Sequence, residues 1–489
     1  MNYTILDCYT DEAAGLGVPP YLGTYPRYIY GILKDRGFSP NYITIDDLRL
    51  SKFYNGIIKE VTDKDKTNIR IYNRTRNDVN DILNNTDVLI VNVGVHVPGK
   101  YLSALPGTLK EVTELLKTIK CKKILTGPSV FGTQLEGGKS SEKIPEIFNE
   151  VKHFGFEFGA FKKDFEKYTL LGADMIKQIP DHRIIEIETG RGCNVGKCSF
   201  CTEPLKNLFT NRKNEYILNE IKKYYSLGCR YFRLGKQSDF YSTEDPINLL
   251  KNIRESCPEI KVLHIDNVNP VFVVAPSGIE ITKAIVKYCT SGNIAAFGVE
   301  SFDPLVVKEN KLNCKPPIAM RAIKILNDLG GERGENGMPK FLPGINIIFG
   351  LGHESKKTHE YNINSLKEIY DNGWMLRRIN IRQAAILPGT LMEKEFGPKY
   401  LNKNKKYYWK WRNDIRQKID FPMLKRLVPV GTILKDIYTE IYDGKTTFGR
   451  QIGTYPLIVG IKERIKLRTF VNVRVTGHML RSITGEVVS

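Results

Sequence analysis

Strand-length apolar runs alternate with helical patterns through most of this chain. The alternation has one rhythm in the first third and a more regular one in the centre, and the tail is rich in β-branched residues. These observations predict an α/β fold with an N-terminal doubly wound, Rossmann-like domain over residues 1–165 and a central partial (β/α)6 TIM barrel over 180–395. A basic aromatic helical linker over 396–440 and a small C-terminal β-barrel over 441–489 complete it. A length of 489 residues accommodates roughly two to four domains. With 41% hydrophobic and 26% charged residues, the chain can bury a sizeable core.

In the first domain, residues 3–8 form a short apolar strand and residues 25–36 a helix that Gly37 ends. Residues 42–45 read as a second strand, 87–95 as a nearly all-apolar one, and 123–126 as another after a helical stretch at 108–120. Such alternation makes a parallel sheet, and the crevice at the carboxyl ends of its strands is a ligand site. Gly15, Gly17, Gly23 and Gly94 would let a ligand come close to backbone there.

The central rhythm places strands at 184–188, 230–234, 261–265, 295–300, 344–349 and 378–382. Helical patterns fall between them at 215–227, 246–256, 279–289, 317–329 and 356–371. Ser277 with Glu280 predicts a capping box, Pro246 a first helical position and Gly228 a helix end. Each strand ends in something polar or in glycine. The ends are Glu188, then Gly235-Lys236-Gln237-Ser238-Asp239, His264-Ile265-Asp266-Asn267, Gly298-Val299-Glu300-Ser301, residues 346–350 and Arg382-Gln383. In a βα barrel the loops at those ends converge on one mouth, where chemistry sits.

Residues 399–426 change character. Ten Lys and Arg residues there face only Asp414 and Asp420, with Tyr400, Tyr407, Tyr408, Trp409, Trp411 and Phe421 between them. Cations beside stacking aromatics suit single-stranded or looped RNA, and the same pattern suits an amphipathic helix covering the barrel. The tail from Phe448 onward alternates through Phe470-Val471-Asn472-Val473-Arg474-Val475, as a small barrel of the oligonucleotide-binding type would.

Lys and Arg number 73 against 54 Asp and Glu, a formal net charge of +19 that favours a polyanionic partner such as RNA. No apolar run approaches the ~18 residues that span a bilayer, so no membrane partner is expected. The first residues, with Asp7, Asp11 and Glu12, lack a signal pattern. Nine cysteines, only three of them clustered, fit a reducing compartment, and the cytoplasm is the expected location.

Those three are Cys193, Cys198 and Cys201, at C-x4-C-x2-C spacing on a glycine-bearing loop directly after the strand at 184–188. Structural zinc takes four protein ligands, so three thiolates on one loop need a distant fourth such as Cys229 or His264. Soft thiolates equally suit an iron-sulfur cube with one iron left open. The loop resembles that of the radical SAM superfamily, whose usual spacing is C-x3-C-x2-C with an aromatic residue before the last cysteine; Phe200 stands at that position.

The resemblance implies the rest of the site. Cys193, Cys198 and Cys201 would ligate a 4Fe-4S cluster, and the amino and carboxylate groups of S-adenosyl-L-methionine (SAM) would chelate its open iron. A low-potential electron donor would supply the electron that yields a 5'-deoxyadenosyl radical. Gly235, Lys236 and Gln237 stand where the family meets the methionyl amino group, with Gln237 or Asp239 in place of the usual acidic residue. Glu300 and Ser301 resemble the fourth-strand motif that contacts ribose and carboxylate. Asn346 and Gly350, continuing into Leu351-Gly352-His353-Glu354, resemble the fifth-strand motif that borders adenine. Pro388-Gly389-Thr390 resembles the turn found in methylthiotransferases and oxygen-independent coproporphyrinogen oxidases. On the substrate side, His264, Asp266, Asn267, Arg382 and Gln383 share the mouth.

The first domain resembles the one ahead of the core in cobalamin-binding members, which makes cobalamin a further candidate cofactor. It has no D-x-H-x-x-G motif, and His96 is the only histidine near a suitable strand end. Methylthiotransferases draw three cysteines from this domain for a second cluster, where this chain offers Cys8 and Cys121. The tail resembles the TRAM domain, taken to bind RNA. Methylation or methylthiolation of RNA, with tRNA as the partner, is the expected function. The alternatives are a cobalamin-assisted methyltransferase acting on a small molecule, lipid or peptide, and a nucleic-acid-binding protein with a structural cluster.

Overall fold

The computed structural model describes residues 1–9, 21–53, 78–94, 106–131, 143–180 and 184–488. It divides into two compact units, residues 1–188 with 215–232 and residues 189–214 with 233–489. Gly15, Gly17 and His96 lie outside the described residues.

The first unit carries β1 (Tyr3–Asp7), β2 (Tyr21–Leu22), β3 (Asn41–Thr44), β4 (Val88–Asn92), β5 (Lys122–Thr126), β6 (Glu150–Val151) and β7 (Ile184–Glu188). Five of these form a parallel sheet in the order β3-β1-β4-β5-β6. That is a doubly wound order whose direction of travel reverses between β1 and β4, the place where such sheets open a crevice. Leu6, Ile43, Leu89, Val91 and Leu125 are fully buried in its core. The helix Thr24–Asp35 crosses Phe165–Gly172 closely enough that a Cβ on Gly31 would lie 2.0 Å from the Tyr168 carbonyl oxygen.

The second unit holds β8 (Gly190–Arg191), β9 (Thr210–Asn211), the end of β10 (Tyr231–Gly235), β11 (Val262–Ile265), β12 (Asn267–Val268), β13 (Asn293–Glu300), β14 (Phe341–Phe349) and β15 (Arg378–Gln383). The last four make a parallel sheet in chain order, with Ala296 beside Gly344 and Gly344 beside Arg378. Helices Pro246–Ser256, Pro276–Tyr288, Pro316–Gly330 and Lys356–Asp371 intervene, three of them opening on proline, whose fixed φ is already helical. This βα succession follows the rhythm that the sequence predicts for the centre of the chain. The capping box expected at Ser277 is not there: Pro276 takes the first helical position and carries Ser277 into the first turn, with Ala275 as the cap. A capping box does form at Ser355 with Thr358.

Residues 399–427 are largely helical, and Trp411, Ile415, Ile419, Met423 and Leu427 recur every four residues as one buried stripe. Trp411 stacks against His359 and Tyr407, with ring centroids 5.2 and 5.3 Å apart. The lysines of this stretch point outward beside Trp409, which is 68% exposed. The covering-helix reading therefore holds for one face, and the cationic aromatic character survives on the other.

The tail closes into a barrel of β16 (Ile433–Asp443), β17 (Thr446–Gln451), β18 (Ile458–Ile461), β19 (Phe470–His478) and β20 (Ser482–Val488). Its order is β16-β17-β18-β20-β19, with β16 closing on β19 and with β18 parallel to β20. This is the arrangement of the small Greek-key barrel used for oligonucleotide and oligosaccharide binding.

The loop between β17 and β18 roots this barrel in the strands before it. Thr454 N–H donates to His264 Nδ1 at 3.0 Å, and the Tyr455 carbonyl accepts from Arg377 Nη2 at 2.7 Å. The Tyr455 ring lies 3.8 Å from the Arg378 guanidinium and 5.8 Å from that of Arg233. Tyr455 adopts a left-handed φ of 53°, a strain the surrounding contacts must hold. Replacing Tyr455 by Ala removes the ring that both guanidinium groups face, and the unfolding free energy of the iron-free chain from urea titration is expected to drop by about 2 kcal/mol, with Tyr455→Phe, which keeps the ring and loses only the hydroxyl's bond to Arg378, losing less. Equal effects of the two substitutions would contradict the role given to the ring.

Candidate active site at the cysteine loop

The cysteine loop hangs from a two-residue antiparallel pair, Gly190 opposite Asn211 and Arg191 opposite Thr210. Thr189 N–H continues the pairing to the Gly235 carbonyl at 3.1 Å, which sets the loop beside the end of β10. Gly192 turns the chain with φ 73°, and a Cβ there would lie 2.5 Å from the Leu208 backbone, so only glycine fits. Glu203, just past the last cysteine, accepts from Gly192 N–H at 2.9 Å and from Asn207 Nδ2 at 3.0 Å. Phe200 is buried among Val306, Val307, Leu312, Ile348, Leu351 and Met392, and Cys198 and Cys201 pack against the same cluster. Gly196 N–H points at Cys193 Sγ at 3.4 Å.

The end of β10 separates the two candidates for the acidic position. Asp239 Oδ1 accepts from Asn269 N–H at 2.8 Å, and its Oδ2 takes the Ser242 hydroxyl, which in turn accepts from Asn194 Nδ2 at 3.0 Å. Burial pushes the Asp239 carboxyl up to about 6, with the hydrogen bonds pulling the other way. Asp239 is thus a brace between the strand end and the cysteine loop. Gln237 is buried, and among the described residues its Oε1 has no hydrogen-bond partner; the Ser238 hydroxyl, on a half-buried residue, has none there either. A buried acceptor left open beside the loop is what an incoming ammonium group needs.

Other strand ends are shaped by unusual backbone. Lys236 and Glu300 are non-glycine residues at φ 68° and 63°, and the β13–β14 register slips between Phe297 and Glu300. The Ser301 hydroxyl accepts from Asp303 N–H at 3.1 Å. Gly350, at φ 95°, donates its N–H to Glu354 Oε2 at 2.8 Å, while Glu354 Oε1 accepts from Asn404 Nδ2 at 3.0 Å.

The substrate-side candidates divide. His264 lies on the side of β11 that meets Thr454, whose N–H its Nδ1 accepts, and burial pushes its imidazole down to about 3, so it is a neutral residue held against the small barrel. Asp266 is buried in an ion pair with Arg233. Asn267 Nδ2 donates to the Gln237 carbonyl at 2.9 Å. On β15, Ile379 and Ile381 are buried on one side, leaving Arg378, Asn380 and Arg382 on the other in register with Gly344, Asn346 and Ile348. With its oxygen turned toward Arg382, Asn380 accepts from Nε at 2.7 Å and Nη2 at 3.1 Å. Gln383 is exposed. Sequence reasoning missed Arg233, Asn380 and Tyr455. A charge inside the apolar run of β10 was the available signal for the first.

Among the described residues, no set of three or more His, Cys, Asp or Glu side chains is gathered in metal-ligand geometry, the cysteine loop included. The fit of a cluster therefore rests on the donor set, three soft thiols on a braced loop. Among the described residues no distant fourth ligand is gathered beside the three thiols, and His264 Nδ1 is occupied by Thr454. The SAM side is fitted by the open acceptor of Gln237.

The model of the radical SAM superfamily matches residues 187–360. An uncharacterized protein of Methanocaldococcus jannaschii is 41% identical, over 99% of this chain and 93% of its own length. A second uncharacterized protein, from Archaeoglobus fulgidus, is 38% identical over 99% and 90%. This chain belongs to the radical SAM superfamily and is a radical SAM enzyme, a family that carries a 4Fe-4S cluster and SAM. Among solved structures it is similar to the radical SAM methyltransferase TsrM from Kitasatospora setae, with cobalamin and a 4Fe-4S cluster bound, at a TM-score of 0.49 and 11% identity over 80% of this chain and 73% of that one. It is also similar to the cobalamin-dependent radical SAM enzyme OxsB, at 0.49 and 13% over 84% and 56%. Among the described residues, no helix is long and apolar enough to cross a membrane.

Burial pushes the Glu354 carboxyl up to about 8 from its ordinary 4.5. The folded chain then holds this proton more tightly than the unfolded one, so its contribution to stability is greatest below the unfolded pKa and falls as pH rises toward about 8. The melting temperature of the iron-free chain should decline from pH 5 to pH 8, and the decline should be smaller in Glu354→Gln. Parallel curves for the two would refute this.

Proposed function

We propose that this radical SAM enzyme methylates or methylthiolates RNA, with tRNA as the polynucleotide it takes up. The observation that carries the reading is the strand order of the C-terminal barrel, whose architecture suits oligonucleotides. The TRAM-like pattern of its sequence, the net charge of +19 and the outward lysines beside Trp409 support it.

Cys193, Cys198 and Cys201 would hold the cluster, and Gln237 Oε1 would receive the SAM ammonium, with Gly235 and Lys236 beside it. Glu300, Ser301, Asn346 and Gly350 would border the remainder of SAM. When bound, the pair supplies a 5'-deoxyadenosyl radical by reductive cleavage of the sulfonium. The chain's own contribution is alignment and exclusion of water. Asn380 orients the Arg382 guanidinium, which would receive a phosphate of the RNA, with Asn267 and Gln383 as further contacts. Asp266 is committed to Arg233 and His264 to Thr454, so neither is retained as a proton carrier.

A second reading is cobalamin-assisted methyl transfer to a small molecule, lipid or peptide. It draws on the first unit, where the Thr126 and Ser129 hydroxyls, at and just past the carboxyl end of β5, are buried with no hydrogen-bond partner among the described residues. Cobalt retained through anaerobic purification would favour it.

The deciding experiment is anaerobic reconstitution followed by dithionite and SAM, with 5'-deoxyadenosine measured with and without total tRNA. A rise with tRNA that fades at moderate salt is expected, since phosphate contacts are salt-sensitive. A yield indifferent to tRNA would count against RNA as substrate. In Cys198→Ala, iron content and 5'-deoxyadenosine should be lost together, and persistence of either would contradict its role as a ligand.

A further inference from the structure

Asn310 follows the short helix Pro304–Glu309 after β13 and is fully buried. Its carbonyl accepts from Ser199 N–H at 2.9 Å. Its Oδ1 accepts from the Ser199 hydroxyl at 2.9 Å and from Gly352 N–H at 3.0 Å. Its Nδ2 donates to the carbonyls of Gly352 at 2.8 Å and Val306 at 2.9 Å. The Ser199 carbonyl is taken by Met392 N–H at 2.8 Å. One amide thus uses both hydrogens and both lone pairs, joining the serine between Cys198 and Cys201 to the glycine two residues past Gly350. No other residue type supplies two acceptor sites and two donor hydrogens at that reach, since Asp lacks the donors and Gln is one methylene too long.

We propose that Asn310 is a positioning residue that fixes the register between the cysteine loop and the Gly350–Gly352 turn, so that the thiolates and the SAM pocket are set as one body. Ser199, between two of the three cysteines, is held at its N–H, its hydroxyl and its carbonyl, and Asn310 takes the first two. Phe200 and Leu351, the neighbours of the two tethered residues, pack in one apolar cluster, so hydrogen bonding and packing agree on the same register. The inference rests on membership of the superfamily and is independent of the RNA reading.

Two measurements on Asn310→Ala test it. In the iron-free chain, hydrogen exchange at the Gly352 amide should accelerate about tenfold, with exchange at Ser199 also faster. In the reconstituted protein, with iron content equal to wild type, the SAM concentration giving half of the SAM-induced change in the electron paramagnetic resonance of the reduced cluster should rise about tenfold. Should the alanine variant fail to fold or to hold iron, Asn310→Asp, which keeps the acceptors and loses both donors, is expected to show the same rise. Ser199→Ala should shift it in the same direction by less. An intact cluster with a wild-type SAM response in Asn310→Asp would overturn the proposal, as would faster Gly352 exchange in Asn310→Ala without any change in the SAM response. None of these readouts involves RNA, so they succeed or fail separately from the choice of substrate.

Discussion

Three sulfurs have to be held steady on an excursion of backbone that has little apolar surface of its own, and hydrogen bonds to neighbouring segments do most of that holding. Glu203 closes the loop on Gly192, Asn194 reaches Ser242 and through it Asp239, and Ser199 is fixed by Asn310. Phe200 adds the one substantial apolar anchor. Apart from Glu203, which belongs to the loop itself, the partners lie in the connections after β10 and β13. The strands therefore act as a rigid base, and the loop inherits their precision.

The same mouth concentrates backbone that most residues avoid. Lys236, Glu300 and His353 all sit in the left-handed region, at a cost of roughly 1–3 kcal/mol each. The slip between β13 and β14 lets Glu300 leave the regular pleat. Strain gathered around a common opening is the signature of a site organised for a ligand.

Much of this was legible beforehand because buried strands and amphipathic helices announce themselves by period alone. The helix at Pro246–Ser256 and the strand at Ile184–Glu188 stand where the pattern put them. The cysteine spacing named the donor set. Side-chain direction was harder to read, because one residue along a strand reverses its face. His264 looked like a strand-end residue and instead meets Thr454 across a long sequence gap. Asp266 looked free to act and is committed to Arg233, whose charge within an apolar strand was the one local hint. Asn310 bears no motif, and its importance comes only from bringing residues 199 and 352 together.

The anchoring of Tyr455 has a consequence for how the two barrels work. A module tethered by a slack linker would sweep a volume and sample many distances. This one is seated on three strands of its neighbour through Thr454, Tyr455 and the arginines beneath them. If RNA is the substrate, as proposed, a strand held by the small barrel would be presented at a constant bearing and range, as between the jaws of a caliper, and its reach would be set by those jaws rather than by a tether.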